Sequence, residues 1–278
     1  MVYNREDSYC FKGGDIVNID YYVFSGTGNT LLVAGHIADK ITKGGNKVTF
    51  HAITDTVDAG ADSIIGVAFP VAFFSTYPLV LNFFERLPMG NGRKIFITAT
   101  MAGAGMGLEK WFYKFLLGKG YAPIAADLFV MPSNYNNKII NIAANKDTIN
   151  KALVKADLFA ATLMTWISEW KGGNTIIPTL WHKFVKSGRA LSLFYRLYPI
   201  QVFNDKCVCC MRCVDNCPVG ACVLKDGFPV IESSKCQCCQ RCVGFCPVSA
   251  IGVAGKQRKP YSAVSYEEYE EFKQLSGI

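Results

Sequence analysis

Ile19-Asp-Tyr-Tyr-Val-Phe24 runs directly into Ser25-Gly26-Thr27-Gly28-Asn29-Thr30, and an apolar helical pattern starts at Leu31. The first six residues read as a buried strand. The next six are small, hydroxylated and glycine-rich. A strand, such a loop and a helix start together make an anion site: hydroxyls and backbone N–H groups wrap the charge, and the helix dipole favours it. The loop is not a Walker A motif, because no lysine follows its last glycine, and it lacks the spacing of the dinucleotide fingerprint. No basic residue lies between Asp20 and Lys40, so an anion here would be held without a side-chain cation.

Working outward, strand-like segments recur at Lys47–Ile53, Ser63–Phe69, Lys94–Ala99 and Ile124–Val130, and helical patterns separate most of them. Alternation of this kind predicts an α/β fold with a doubly wound, five-stranded parallel sheet in the order 2-1-3-4-5. Ligands of such sheets bind beyond the carboxyl ends of the strands. Three loops fall there: Ser25–Thr30; Pro70-Val-Ala-Phe-Phe-Ser-Thr-Tyr77; and Thr100-Met-Ala-Gly-Ala-Gly-Met-Gly107. Pro132-Ser-Asn-Tyr135 is a fourth candidate border. Asp147–Trp170 reads as a long helix stopped by Lys171-Gly-Gly-Asn174.

The second half carries different chemistry. Of twelve cysteines, eleven lie within residues 207–246. Eight form two copies of one spacing: Cys207-x2-Cys210-x2-Cys213-x3-Cys217-Pro218 and Cys236-x2-Cys239-x2-Cys242-x3-Cys246-Pro247. That run is the thiolate pattern for [4Fe–4S] clusters. Zinc ligands come instead as separated pairs, and a disulfide framework belongs to secreted chains, for which no leader is visible here. The copies extend further, since Lys206-Cys-Val-Cys-Cys-Met-Arg-Cys-Val aligns with Lys235-Cys-Gln-Cys-Cys-Gln-Arg-Cys-Val. One unit is therefore used twice. Cys209 and Cys238 are equivalent spare cysteines, Cys222 aligns with Ile251 as a small core residue, and Cys10 has no visible partner.

The segment around these motifs resembles a bacterial two-cluster ferredoxin. In that family the fourth cysteine of each motif ligates the other cluster. The resemblance therefore implies Cys207, Cys210, Cys213 and Cys246 for cluster I, and Cys236, Cys239, Cys242 and Cys217 for cluster II. The Ser25–Thr30 loop matches the (S/T)-x-T-G-x-T phosphate loop of flavodoxins, which implies that Ser25, Gly26, Thr27, Gly28, Asn29 and Thr30 hold the phosphate of FMN. The same resemblance implies ring contacts from Pro70, Val71, Phe73, Phe74 and Tyr77 in the second loop. From the third loop it implies Thr100, Met101, Ala102, Gly103 and Gly105. The second loop has no tryptophan, a departure from that family. Together the two halves resemble the anaerobe-type flavodoxin–ferredoxin fusion proteins of the EFR ferredoxin family, over roughly residues 19–262.

The domain plan expected is an arm at 1–17, a flavodoxin-like domain at 18–172, a basic and aromatic connector at 173–204, a cluster domain at 205–255 and a tail at 256–278. The resemblance implies an electron-transfer iron–sulfur flavoprotein working with other redox proteins, such as a ferredoxin or an oxidoreductase. A flavin-dependent reductase of a small molecule, fed by its own clusters, is the alternative. A redox or oxygen sensor is a third reading that no output domain supports. The three loops and the fourth candidate border carry no acid, base or histidine suited to protonating a substrate apart from Tyr77 and Tyr135, which leaves catalytic residues unassigned. His36, His51 and His182 are scattered and fit no metal spacing.

Formal charge is +7 over 278 residues with thiols counted as neutral. Bound clusters and a phosphate would bring it toward neutral, so the basic balance does not point to nucleic acid. Mean hydropathy is +0.18, and Ser63 to Phe84 carries no charge, which raises a membrane span. Pro70, Pro78 and Asn82 interrupt that run, and buried parallel strands are equally apolar. The connector could lie on a membrane surface, but helices packed between two domains need no lipid. A reducing cytoplasm is the expected location.

Overall fold

The structure, a computed structural model, describes residues 16–57, 62–105, 107–134, 142–168, 170, 176–256 and 262–276. Residues 1–15 of the expected arm with Cys10, together with Met106, Tyr135, the Lys171–Asn174 stop, Arg258 and Lys259, lie outside them.

Five parallel strands make the main sheet: β1 (Asn18–Val23), β2 (Lys47–Ala52), β3 (Ile64–Pro70), β4 (Lys94–Met101) and β5 (Ala122–Val130). Their order is β2-β1-β3-β4-β5, as the alternation predicts. Between them run α1 (Asn29–Lys43), α2 (Pro78–Arg86) and α3 (Leu108–Gly118), and α4 (Ile142–Leu163) follows β5. The uncharged Ser63–Phe84 run divides into β3, a loop and α2. Among the described residues no helix is long and apolar enough to cross a membrane.

Period-two alternation puts both faces of the sheet out of water. In β1, Tyr21 and Val23 join the layer under α1 and α4, where Ile37, Phe129 and Phe159 pack. Tyr22 and the following Phe24 join the opposite layer with Phe69, Phe83, Phe84 and Phe112. The buried Tyr21 hydroxyl is satisfied by Thr98 Oγ1 at 2.6 Å, and burial pushes its pKa upward.

The helix after β5 ends seven residues before the expected Trp170. Thr165 closes a turn on the Thr162 carbonyl through both its N–H and its hydroxyl, and Trp166 takes a left-handed φ of 56°. The chain then rounds the β5 edge, where Ser168 donates to the Pro123 carbonyl at 2.9 Å. Trp170 packs on the other face of the sheet against Tyr113.

The connector forms α5 (Ile176–Lys186) and α6 (Arg189–Leu197). Its last residues make β6 (Ile200–Val202), which pairs antiparallel with β9 (Ile251–Val253). Between them lie α7 (Arg212–Asp215), the hairpin β7 (Cys222–Lys225) and β8 (Phe228–Ile231), and α8 (Arg241–Phe245). Each of the two strand pairs joins one strand flanking the first motif to one flanking the second. The tail helix α9 (Tyr266–Ser276) returns to β2, where Phe272 meets Phe50.

The densest aromatic cluster surrounds Phe84, whose ring lies 4.2 Å from Phe112 and 5.7 Å from both Phe69 and Phe83. Phe84→Ala should cost about 3–5 kcal/mol in urea unfolding. The exposed Phe74→Ala should cost little. A Phe84→Ala loss below about 1 kcal/mol would contradict this account of the core.

Candidate functional site

Two sets of residues predicted from sequence converge at the carboxyl edge of the sheet. Ser25–Thr30 links β1 to α1, and each of its residues is buried. Ser25 Oγ accepts from the Gly28 N–H at 3.1 Å. Gly28 sits at φ 95° directly before α1, a conformation that a side chain would strain. Asn29 Nδ2 donates to the Pro132 carbonyl at 3.0 Å, and the Thr30 and Thr100 hydroxyls meet at 2.8 Å. Thr27 Oγ1 is buried without a hydrogen-bond partner. A buried unpaired hydroxyl is costly. Beside the N–H groups of a helix start it fits a phosphate oxygen.

The second loop is tied to the third by Val71 N–H donating to the Thr100 carbonyl at 2.7 Å. Thr76 Oγ1 donates to the Pro70 carbonyl, and Phe73 and Phe74 both take left-handed φ values. The three aromatic candidates have different surroundings. Tyr77 is buried against Phe24 and precedes α2. Phe73 is covered by Phe194 of α6 at 4.7 Å. Phe74 is 49% exposed, the most open of the three. In the third loop Thr100 is buried, Met101 is half-buried, and Ala102 and Gly103 are exposed. A side chain at Gly105 would meet Leu128.

The two cysteine motifs adopt matching backbones. Cys209 and Met211 in the first, and Cys238 and Gln240 in the second, hold φ between 51° and 62°. Alternation of right- and left-handed residues aims successive N–H groups into a concavity that suits an anion, as at iron–sulfur sites. The Ala221 N–H donates to Cys217 Sγ at 3.1 Å, and the Ala250 N–H donates to Cys246 Sγ at 3.1 Å.

Cys207, Cys210, Cys213 and Cys246 line one small cavity, so the fourth cysteine of the second motif joins the first three of the first. Burial raises the pKa values of Cys239 and Cys242, and the neighbouring thiols Cys236 and Cys217 add to it in both, so Cys217 of the first motif lies near the second. Among the described residues no three His, Cys, Asp or Glu side chains converge as ligands of a single metal ion. Four thiols around a cavity suit a cluster with several corners.

The spare cysteines touch the motif cysteines. Cys222 hydrogen-bonds to Cys213 and lowers its pKa to about 7, and Cys238 does the same for Cys236. Cys209, the counterpart of Cys238, bonds to Cys207. The sequence alignment showed the equivalence of Cys209 and Cys238 but not these contacts.

The second motif is seated on the first set of residues. The Cys239 carbonyl lies so close to Gly26 that a Cβ there would collide with it. Gln237 Oε1 accepts from the Leu79 N–H at the start of α2 at 3.1 Å. From the tail, the Ala263 N–H and the Ser262 hydroxyl donate to the Thr27 carbonyl at 2.9 and 3.2 Å. A cavity of about 310 Å³ lies beside this seat, between Ser25, Ile53, Asn216, Pro218, Arg241 and Phe272. The second and third loops do not border it.

His182 is the residue that sequence reasoning missed. It is buried on α5, its Nδ1 lies 2.5 Å from Ser75 Oγ in the second loop, and its ring is 4.5 Å from Trp111. Its Nε2 is buried without a partner. Trp181, beside it, donates through its indole N–H to the Phe73 carbonyl. The connector thus braces the second loop from behind. No spacing signals this, because the partners are more than one hundred residues away.

No family model and no curated protein matches the chain. Solved structures do, over the sheet half. A flavodoxin from the domain Archaea is 12% identical, covering 54% of this chain and 99% of its own, at TM-score 0.35. The two-electron reduced Megasphaera elsdenii flavodoxin is 19% identical, covering 49% and 98%, at TM-score 0.35. An NAD(P)H:quinone oxidoreductase from Methanothermobacter marburgensis is 10% identical, covering 53% and 98%, at TM-score 0.39.

Burial lowers the pKa of His182 from 6.5 to about 4. Between those values the unfolded chain takes up a proton that the folded one refuses, so stability is full above 6.5 and falls as pH falls. From pH 7.5 to 5.5 the loss from this group should be about 1 kcal/mol. Urea unfolding of His182→Asn, which can keep a bond to Ser75, should lack that component. An identical pH slope in both proteins would show that His182 is not its source.

Proposed function

We propose that the chain is an electron-transfer iron–sulfur flavoprotein, holding FMN by its phosphate at Ser25–Thr30 and two [4Fe–4S] clusters on eight cysteines. The observation that carries this reading is the cavity shared by Cys207, Cys210, Cys213 and Cys246, with matched N–H···S bonds to Cys217 and Cys246. The unpartnered Thr27 hydroxyl supports the phosphate site. In this reading residues 18–172 form the flavin unit. The cluster unit runs from β6 through β9.

When bound, the clusters exchange single electrons and the flavin one or two, so together they join one-electron carriers to two-electron chemistry. The chain's own residues supply position and electrostatics. Thr27, Ser25 and the N–H groups at the start of α1 would hold the phosphate. Val71 and Thr100 keep the two ring loops in register. The N–H donors from Ala221 and Ala250 would stabilise negative charge on the cluster sulfurs. The seat of Cys239 on Gly26 keeps the two units close. A redox protein is the partner that fits, and cytoplasm is the compartment in which such thiolates persist.

Anaerobically purified protein should contain about eight irons and eight acid-labile sulfides. FMN should bind much more tightly than riboflavin, which lacks the phosphate. Thr27→Ala should weaken FMN by about 1.5–3 kcal/mol and leave riboflavin nearly unchanged. Stoichiometric zinc without labile sulfide would remove the cluster half of the proposal, and equal binding of the two flavins would remove the other.

A further inference from the structure

The repeat places an arginine before the third cysteine of each motif, Arg212 and Arg241, but the fold uses them differently. Arg212 lies at the surface over the Tyr266 ring and 3.7 Å from Glu267. Arg241 is only 8% exposed. Its Nε and Nη2 donate to the Ser25 carbonyl at 3.1 and 2.8 Å, and its Nη1 donates to the Asn216 carbonyl at 3.3 Å. The Phe24 and Tyr269 rings lie 5.2 and 5.1 Å from its guanidinium carbon. Among the described residues it forms no ion pair with a carboxylate. A buried cation needs compensation, and this one sits between the phosphate loop and the cysteines of the second motif.

We infer that Arg241 is a positioning residue that locks the Ser25–Gly26 peptide and so links the shape of the phosphate loop to the seating of the second cysteine motif. This rests on the flavin and cluster reading above. A trans peptide is planar, so drawing the Ser25 carbonyl toward Arg241 turns the Gly26 N–H the opposite way. That N–H belongs to the loop that would receive the phosphate. Ala263 and Ser262 fix the Thr27–Gly28 peptide in the same manner from the tail. The arrangement is reciprocal: whatever orders the loop favours seating of the motif, and the converse.

The test uses full-length protein purified anaerobically and stripped of flavin. Wild type, Arg241→Ala, Arg241→Lys and Arg212→Ala are each titrated with FMN and with riboflavin. Amide exchange over residues 25–30 is measured in the same samples, along with iron and labile sulfide. Lysine keeps the charge but not the fork, so Arg241→Lys remains readable where the alanine variant misfolds. Both Arg241 variants should lose about tenfold or more in preference for FMN over riboflavin and exchange faster over residues 25–30. Arg212→Ala should match wild type.

Wild-type selectivity and exchange in both Arg241 variants would overturn the inference. So would loss of iron from both with selectivity intact, which would confine Arg241 to the cluster unit. If wild type bound the two flavins alike while loop exchange still depended on Arg241, the flavin reading would fail and the mechanical link would stand.

Discussion

The Ser25 carbonyl lies two residues past the end of β1 and receives two hydrogen bonds from a guanidinium anchored among cysteines more than two hundred residues away. The relation proposed between the phosphate loop and the second cysteine motif depends on that junction. A parallel sheet delivers its loops to one edge, and the first of them carries the hydroxyls and helix start suited to a phosphate. The cysteine unit meets the same loop, with the Cys239 carbonyl against Gly26 and Gln237 on the start of α2. Any group held on the loop and any group held by the second motif are therefore neighbours by construction.

The cysteine unit holds its shape at some conformational cost. Cys209, Met211, Cys238, Gln240 and Ser249 all take left-handed φ values without being glycine. Residues held there cost roughly 1–3 kcal/mol each and persist where the surroundings over-determine them. The compensation available in this unit is local. N–H groups point at sulfur, spare thiols bond to motif cysteines, and a small core forms around Ile200, Cys213, Cys222, Val243 and Ile251. Clusters that gather four sulfurs each would add to it.

The local signals of the sequence carried most of the architecture. Tyr21 and Tyr22 alternate between two buried layers, and the five apolar runs became five parallel strands in the expected order. The limits were tertiary. Nothing local announced that Thr162 and Thr165 would end α4 early, or that Ile200–Val202 would leave the connector to pair with β9. In the candidate site, residue types and spacing pointed to the phosphate loop and the eight cysteines. They could not separate the buried Tyr77 from the exposed Phe74, nor bring His182 behind the second loop. They also could not break the symmetry between Arg212 and Arg241, which only the docking of one half on the other decides.

The most direct test of the central claim is an iron-edge anomalous diffraction map of anaerobically crystallised protein with FMN bound. Two separate multi-iron peaks are expected, one bounded by Cys207, Cys210, Cys213 and Cys246, the other by Cys236, Cys239, Cys242 and Cys217. The second peak should lie nearer the flavin phosphate. A single metal ion at either motif, clusters held by uncrossed cysteines, or a flavin phosphate away from Ser25–Thr30 would contradict the account.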